Sequence, residues 1–172
     1  MSVTDDILKA NETYSENFSL GDLTPPPALK LAIVTCMDAR IIPDRILGLK
    51  PGDAHVIRNA GGIVTEDALR SLLLSHHLLG TEEFVIINHT DCGMLTFSED
   101  DLIDKLEQKT GTSTPTPIRF HAFTNLETNV RQQIDRLKSH PWLPDSISIR
   151  GFIYNVHTGK LNEVKAPIPT PD

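Results

Sequence analysis

The chain lacks any apolar run approaching the roughly 20 residues that a membrane-spanning helix needs. Its N-terminus, Met1-Ser-Val-Thr-Asp-Asp-Ile-Leu, is acidic, with neither the basic start nor the apolar centre of a signal peptide, and no arginine-rich transit character. A cytoplasmic location is therefore the expectation. Basic excess is also missing: 16 Lys and Arg stand against 23 Asp and Glu, a formal net charge of −7, with no basic patch. That balance argues against nucleic-acid binding, which needs clustered positive charge. No G-K-[ST] phosphate loop occurs, and Gly61-Gly62 ahead of a helical stretch is not a complete G-x-G-x-x-G fingerprint. Cysteine is scarce: Cys36 and Cys92 are the only two, too few for a secreted disulfide scaffold. Without their neighbours, two such thiols read as ordinary buried core residues.

What is present suits one α/β domain of 172 residues, 39% of them hydrophobic. Residues 4–18 read as a helix with Ile7, Tyr14 and Phe18 near one face, followed by Gly21 and the stiff linker Pro25-Pro26-Pro27. Residues 1–27 are thus expected to form a helix and linker that pack on the main body or on a partner subunit. Residues 28–172 form the main domain. Short apolar runs at 31–36, 54–58, 84–88 and 146–154 read as strands. Between them, a short helix starts near Pro43, and a strong one spans 66–79 behind Thr65 as its N-cap. Ser98 and Asp101 suggest a capping box opening a helix to about Lys109. Thr124 and Glu127 suggest a second, with Leu126, Val130, Ile134 and Leu137 facing inward. Residues 110–117 are the expected flexible loop, and His157-Thr-Gly-Lys160 a turn into a last edge strand. Strands alternating with helices predict a mainly parallel central sheet with flanking helices and an antiparallel edge strand.

In such sheets, sites form beyond the carboxyl ends of the strands. Cys36 ends the first strand, His89 ends the third, and Cys92 follows three residues later. Two thiolates and an imidazole match the donor preference of zinc, and three protein ligands leave one position for water. Zinc lowers the pKa of that water to about 7. Gly93 permits a tight turn bringing His89 and Cys92 to one metal. Asp38 and Arg40 lie two residues apart just beyond the strand. Asp38 can orient the bound water or bind the metal and shut the site; Arg40, with its planar fork, can hold it in the first role. The alternative is a surface ion pair of small consequence. His76 and His77 could relay protons, but helix packing or exposure is the better reading. His55, His121, His140 and His157 have no ligand-like spacing, and Asp91 reads as a turn residue. Gly61 and Gly62, with Gly93, let backbone approach the expected pocket, where Met37, Met94 and Phe97 could form apolar wall or ordinary core.

The segments C-M-D-A-R at 36–40 and H-T-D-C-G-M at 89–94 resemble the zinc site of the β-carbonic anhydrases. The resemblance extends over almost the whole chain, through the R-N-A-G-G loop, the H-P-W-L-P segment and the R-G-F-I-Y strand. Within the family, the runs I-R-N-A-G-G, E-D-A-L-R, S-H-H-L-L and C-G-M-L are similar to the branch containing carbonyl sulfide hydrolases. Ala39 stands where carbonic anhydrases commonly have Ser, and Gly62 where the loop often has Asn. The resemblance implies one zinc per subunit on Cys36, His89 and Cys92, with Asp38 and Arg40 as catalytic residues. It also implies a homodimer or homotetramer, with the N-terminal helix crossing to its neighbour. The leading expectation is zinc-hydroxide hydrolysis of carbonyl sulfide to hydrogen sulfide and carbon dioxide. The alternative is hydration of carbon dioxide to bicarbonate, and a third reading is a non-catalytic zinc-binding assembly protein.

Overall fold

Four β-rich runs line up as the parallel part of one sheet. In the computed structural model, which describes residues 2–113 and 119–165, they are β1 (Leu31–Cys36), β2 (Ala54–Asn59), β3 (Glu83–His89) and β4 (Ser148–Tyr154). A short β5 (Leu161–Glu163) pairs antiparallel with β4, and the spatial order is β2-β1-β3-β4-β5. The fold is the α/β architecture expected, with its antiparallel edge pair. The chain builds outward from β1 to β2, then returns to place β3 on the other side of β1. The strand order therefore reverses between β1 and β3, and a crevice opens there beyond their carboxyl ends.

Among the described residues five α-helices accompany these strands: α1 (Val3–Glu16) ahead of β1, then α2 (Pro43–Leu47), α3 (Glu66–Leu79), α4 (Glu99–Thr110) and α5 (Leu126–Lys138) between the strands. The β1 run is buried from Ala32 to Cys36, so it reads as continuously apolar rather than alternating. Ala32, Val34, Phe84 and Ile86 pack with Leu72 of α3 and Leu137 of α5 in the main core. Full burial of each large aliphatic or aromatic side chain contributes roughly 1.5–3 kcal/mol. Helix α5 can lie close on β4 because Gly151 has no side chain; a Cβ there would collide with Val130 and, at 2.7 Å, with Ile134 Cδ1.

Helix boundaries show where local chemistry decides. Thr65 caps α3 by accepting from the Ala68 amide, and Gly80 ends it in the left-handed conformation. Helix α1 starts earlier than expected because Ser2 and Asp5 form a reciprocal capping box. For α5 the cap is Asn125, whose side chain accepts from the Thr128 amide at 2.9 Å, and not Thr124. Glu127 pairs instead with Arg131, one helical turn on. Ser98 accepts from the Asp101 amide as expected, but its hydroxyl donates to the Asp101 carboxylate in place of the backbone return bond. Of the expected loop 110–117, Thr110 is the last residue of α4, and residues 114–117 lie outside the described residues.

Helix α1 buries no residue. The linker after it is nevertheless anchored, because His55 Nε2 lies 3.0 Å from the Pro25 carbonyl while its Nδ1 meets Ser75 Oγ at 2.7 Å. Among the described residues no helix is long and apolar enough to cross a membrane.

Candidate metal centre

Cys36 is the last residue of β1 and His89 the last of β3, on either side of the point where strand order reverses. After His89 the chain turns through Asp91, which takes a left-handed φ of 55°, and brings Cys92 back beside Cys36. The two sulfurs and a ring nitrogen of His89 all lie within 4.8 Å of one another, and all three residues are buried. His89 Nδ1 sits 2.8 Å from the Thr90 carbonyl and so carries the proton, leaving the Nε2 lone pair free. Among the described residues that buried Nε2 has no hydrogen-bond partner. An unpaired buried polar atom is costly, and a cation between the sulfurs would satisfy it.

The thiol pair points the same way. The hydrogen bond from Cys92 pulls the Cys36 thiol down to about 4, with burial opposing it. Its partner Cys92 is pushed far up, first by that shared proton and then by burial. One proton leaves readily, and the second needs a cation to displace it. These donors, a thiolate and a neutral imidazole at the ends of β1 and β3 and a second thiolate on the turn after β3, fit a zinc ion.

Asp38 and Arg40 form a forked pair. Arg40 donates through Nε to Asp38 Oδ1 at 3.0 Å and through Nη2 to Oδ2 at 2.7 Å, and its backbone amide adds a bond of 2.9 Å to Oδ1. The Arg40 guanidinium therefore holds the Asp38 carboxyl far below the usual carboxylate range. Asp38 Oδ2 is 3.8 Å from His89 Nε2, beside the position a metal would take. Arg40 also reaches the Asp91 carbonyl at 3.3 Å, tying the two halves of the site together.

A cavity of about 590 Å³ opens over this cluster, lined by Met37, Asp38, Ala39, Gly61, Gly93 and Phe97 among others. Gly61 and Gly93 line it; Gly62 does not. A Cβ at Gly62 would come within 2.9 Å of the Ile87 carbonyl and 3.0 Å of the Cys36 amide nitrogen, so this residue permits close backbone approach behind the site. Met94 is buried beneath the cavity, and Met37 is 66% exposed at its mouth.

His76 and His77 lie elsewhere, holding the Thr81 and Trp142 carbonyls at 2.7 and 2.8 Å. Residues given no role from the sequence also shape the site. Arg58 donates to the carbonyls of Cys36 (3.1 Å) and Asp38 (2.8 Å), fixing the backbone that carries both side chains. His157, on the β4–β5 turn, meets Asp91 at 2.6 Å. Their only sequence signal was charge opposite the site at strand ends, which needs the sheet register to interpret.

A protein-family model described as carbonic anhydrase matches residues 31–161. Beta-carbonic anhydrase 1 of Mycobacterium tuberculosis is 47% identical over 165 residues, covering 95% of this chain and 99% of that protein. The carbon disulfide hydrolase of Saccharolobus solfataricus is 35% identical over 181 residues, covering 92% and 87%. Among solved structures, a carbonic anhydrase from Streptococcus mutans is similar with a TM-score of 0.90 and 42% identity, over 96% of this chain and 99% of that one.

Proposed function

The chain belongs to the β-carbonic anhydrase family, and from that premise we propose that it hydrates carbon dioxide to bicarbonate. Cys36, His89 and Cys92 would hold the zinc ion. When bound, zinc supplies a Lewis acid that makes hydroxide available near neutral pH. The observation that carries the catalytic reading is the forked Arg40–Asp38 pair. With both carboxylate oxygens and the Arg40 amide engaged, Asp38 is held ionised and is kept from closing on the metal position. Its free lone pairs then accept a hydrogen bond from the attacking water and aim that water at the substrate carbon. Met37, Ala39 and Phe97 give the cavity an apolar wall suited to a small linear molecule of no net charge.

This reverses the leading expectation, carbonyl sulfide hydrolysis. Identity of 47% over nearly the whole chain favours the carbonic anhydrase reading, against 35% to the carbon disulfide hydrolase. Similarity to a carbon disulfide hydrolase supports carbonyl sulfide, a related small sulfur compound, as the second substrate to test at the same carboxylate and metal position. The third reading, a non-catalytic zinc protein, would need Asp38 as a permanent fourth ligand, and the Arg40 fork opposes it.

One zinc-loaded sample assayed for carbon dioxide hydration and for hydrogen sulfide release from carbonyl sulfide decides between the substrates. Hydration is expected to dominate. Sulfide release with the larger kcat/KM would overturn the assignment.

A further inference from the structure

Asn88 interrupts the apolar run of β3, and the alternation of the strand turns its side chain away from that of His89, toward α5. It is 1% exposed; Asn129 and Gln133, one turn apart on α5, are 4% and 7% exposed. Three buried amides are expensive unless every one is paired. Here they join end to end. The Val64 amide donates to Gln133 Oε1 at 2.9 Å, Gln133 Nε2 donates to Asn129 Oδ1 at 3.1 Å, and Asn129 Nδ2 donates to Asn88 Oδ1 at 2.6 Å. Asn88 Nδ2 then donates to the carbonyls of Gly61 (2.9 Å) and Gly62 (3.3 Å). Each oxygen accepts from the residue before it and each nitrogen donates to the one after, so flipping any amide would oppose two like atoms.

The far end of this chain reaches the metal centre. Gly61 has a φ of 80°, and in that conformation its amide donates to Cys36 Sγ at 3.4 Å. The Asn59 side chain ties the ends of the turn, donating to the Ile63 carbonyl at 2.7 Å and accepting from the Ile63 amide at 2.8 Å, but it leaves the Gly61 and Gly62 carbonyls, on two residues with positive φ, to be held from outside the turn. Asn88 holds them, and α5 orients Asn88 through Asn129 and Gln133.

We propose that Asn88, Asn129 and Gln133 are positioning residues for the metal centre, an amide relay that fixes the Gly61–Gly62 turn so that the Gly61 amide donates to the Cys36 sulfur. That bond withdraws charge from the sulfur and so tunes its donation to a bound metal. The inference rests on Cys36 being a ligand and is independent of the substrate.

The test uses cobalt-substituted protein and two variants on α5, away from every ligand. Asn129→Asp keeps the shape but cannot donate to Asn88. Gln133→Met removes the first link. Both are expected to move the thiolate-to-cobalt charge-transfer band to longer wavelength, because the sulfur electrons lose a stabilising donor. Metal affinity, measured by chelator competition, should fall about tenfold or more, because the loosened turn no longer holds the Cys36 sulfur oriented and that loss outweighs its stronger donation. Band and affinity equal to those of the parent, in variants whose circular dichroism is unchanged, would reduce the relay to a fold staple and overturn the inference. Should Asn129→Asp fail to fold, the Gln133→Met spectrum decides alone by the same criterion. A parent protein with no thiolate band would remove the metal site and the inference together.

Discussion

Arg40 is 47% exposed at its side chain and by that measure belongs with surface ion pairs of little energetic weight. Its geometry says otherwise, since a fork engaging both Asp38 oxygens does what a single ammonium cannot. Arg40→Lys should therefore lower carbon dioxide hydration by roughly 10- to 100-fold, the usual cost of disturbing a group that orients a metal site. Zinc content should stay at one per chain, because no ligand is touched. Turnover measured beside metal content checks both, and unimpaired turnover would remove Asp38 orientation from the mechanism. The cluster of Cys36, His89 and Cys92 was legible in the sequence because two thiols and an imidazole gather at, or three residues past, the ends of two strands, where either thiol alone reads as core. Asn88 was not. An amide inside an apolar strand declares its purpose only when partners 26 to 41 residues away are known.

At the scale of elements, α4 has no fully buried residue, yet it must hold the segment that covers the metal loop. Its first residue does this: Glu99 accepts from the amides of Phe120 and Ala122, both at 2.8 Å. Phe123 follows, donating its amide to the Met94 carbonyl and packing beside Gly61. Burial works against the Glu99 charge, but the amides of Phe120, Ala122 and His121 outweigh it and hold the carboxyl below the ordinary range. Glu99→Gln should cost about 1–3 kcal/mol at pH 7, as expected for bonds to a charged group. The sign with pH follows from the lowered value. The contribution is complete above the unfolded value of about 4.3 and is lost as pH falls through the folded one. Urea midpoints of parent and variant should thus keep a constant gap from pH 7 to about pH 5, then converge below about 4.3; a gap that widened on acidification would contradict the latch. Hydrophobic periodicity together with capping, proline and turn residues was enough to find each α-helix and strand, whereas this latch and the Asn125 cap depend on which polar side chain reaches an amide first. Thr124 and Asn125 are adjacent, and both are acceptable caps by type.

The whole molecule carries one element without a reason to exist in a lone chain. Val3, Ile7 and Tyr14 fall on one stripe of α1 and are 76%, 62% and 56% exposed, and Phe18, 51% exposed, meets Tyr14 in a tilted arrangement with ring centroids 5.6 Å apart. A 14-residue helix is marginal by itself in water, so the capping box at Ser2 and Asp5 cannot be its whole support. The body does not supply the rest, although His55 fixes the linker at Pro25 and so sets where the helix begins to project. A second copy of the chain would supply it, and residues 1–27 then act as an arm laid on that copy. The same copy would cover Met37 at the mouth of the cavity and exclude water from the carboxylate and metal position. The full chain should therefore sediment as a dimer or a larger even-numbered assembly. Removal of residues 2–19 should shift it toward smaller species and lower hydration activity, with zinc still bound because every ligand lies beyond residue 35. Sedimentation of both forms beside metal content measures this, and an unchanged assembly with full activity would show that the apolar stripe of α1 serves neither assembly nor catalysis.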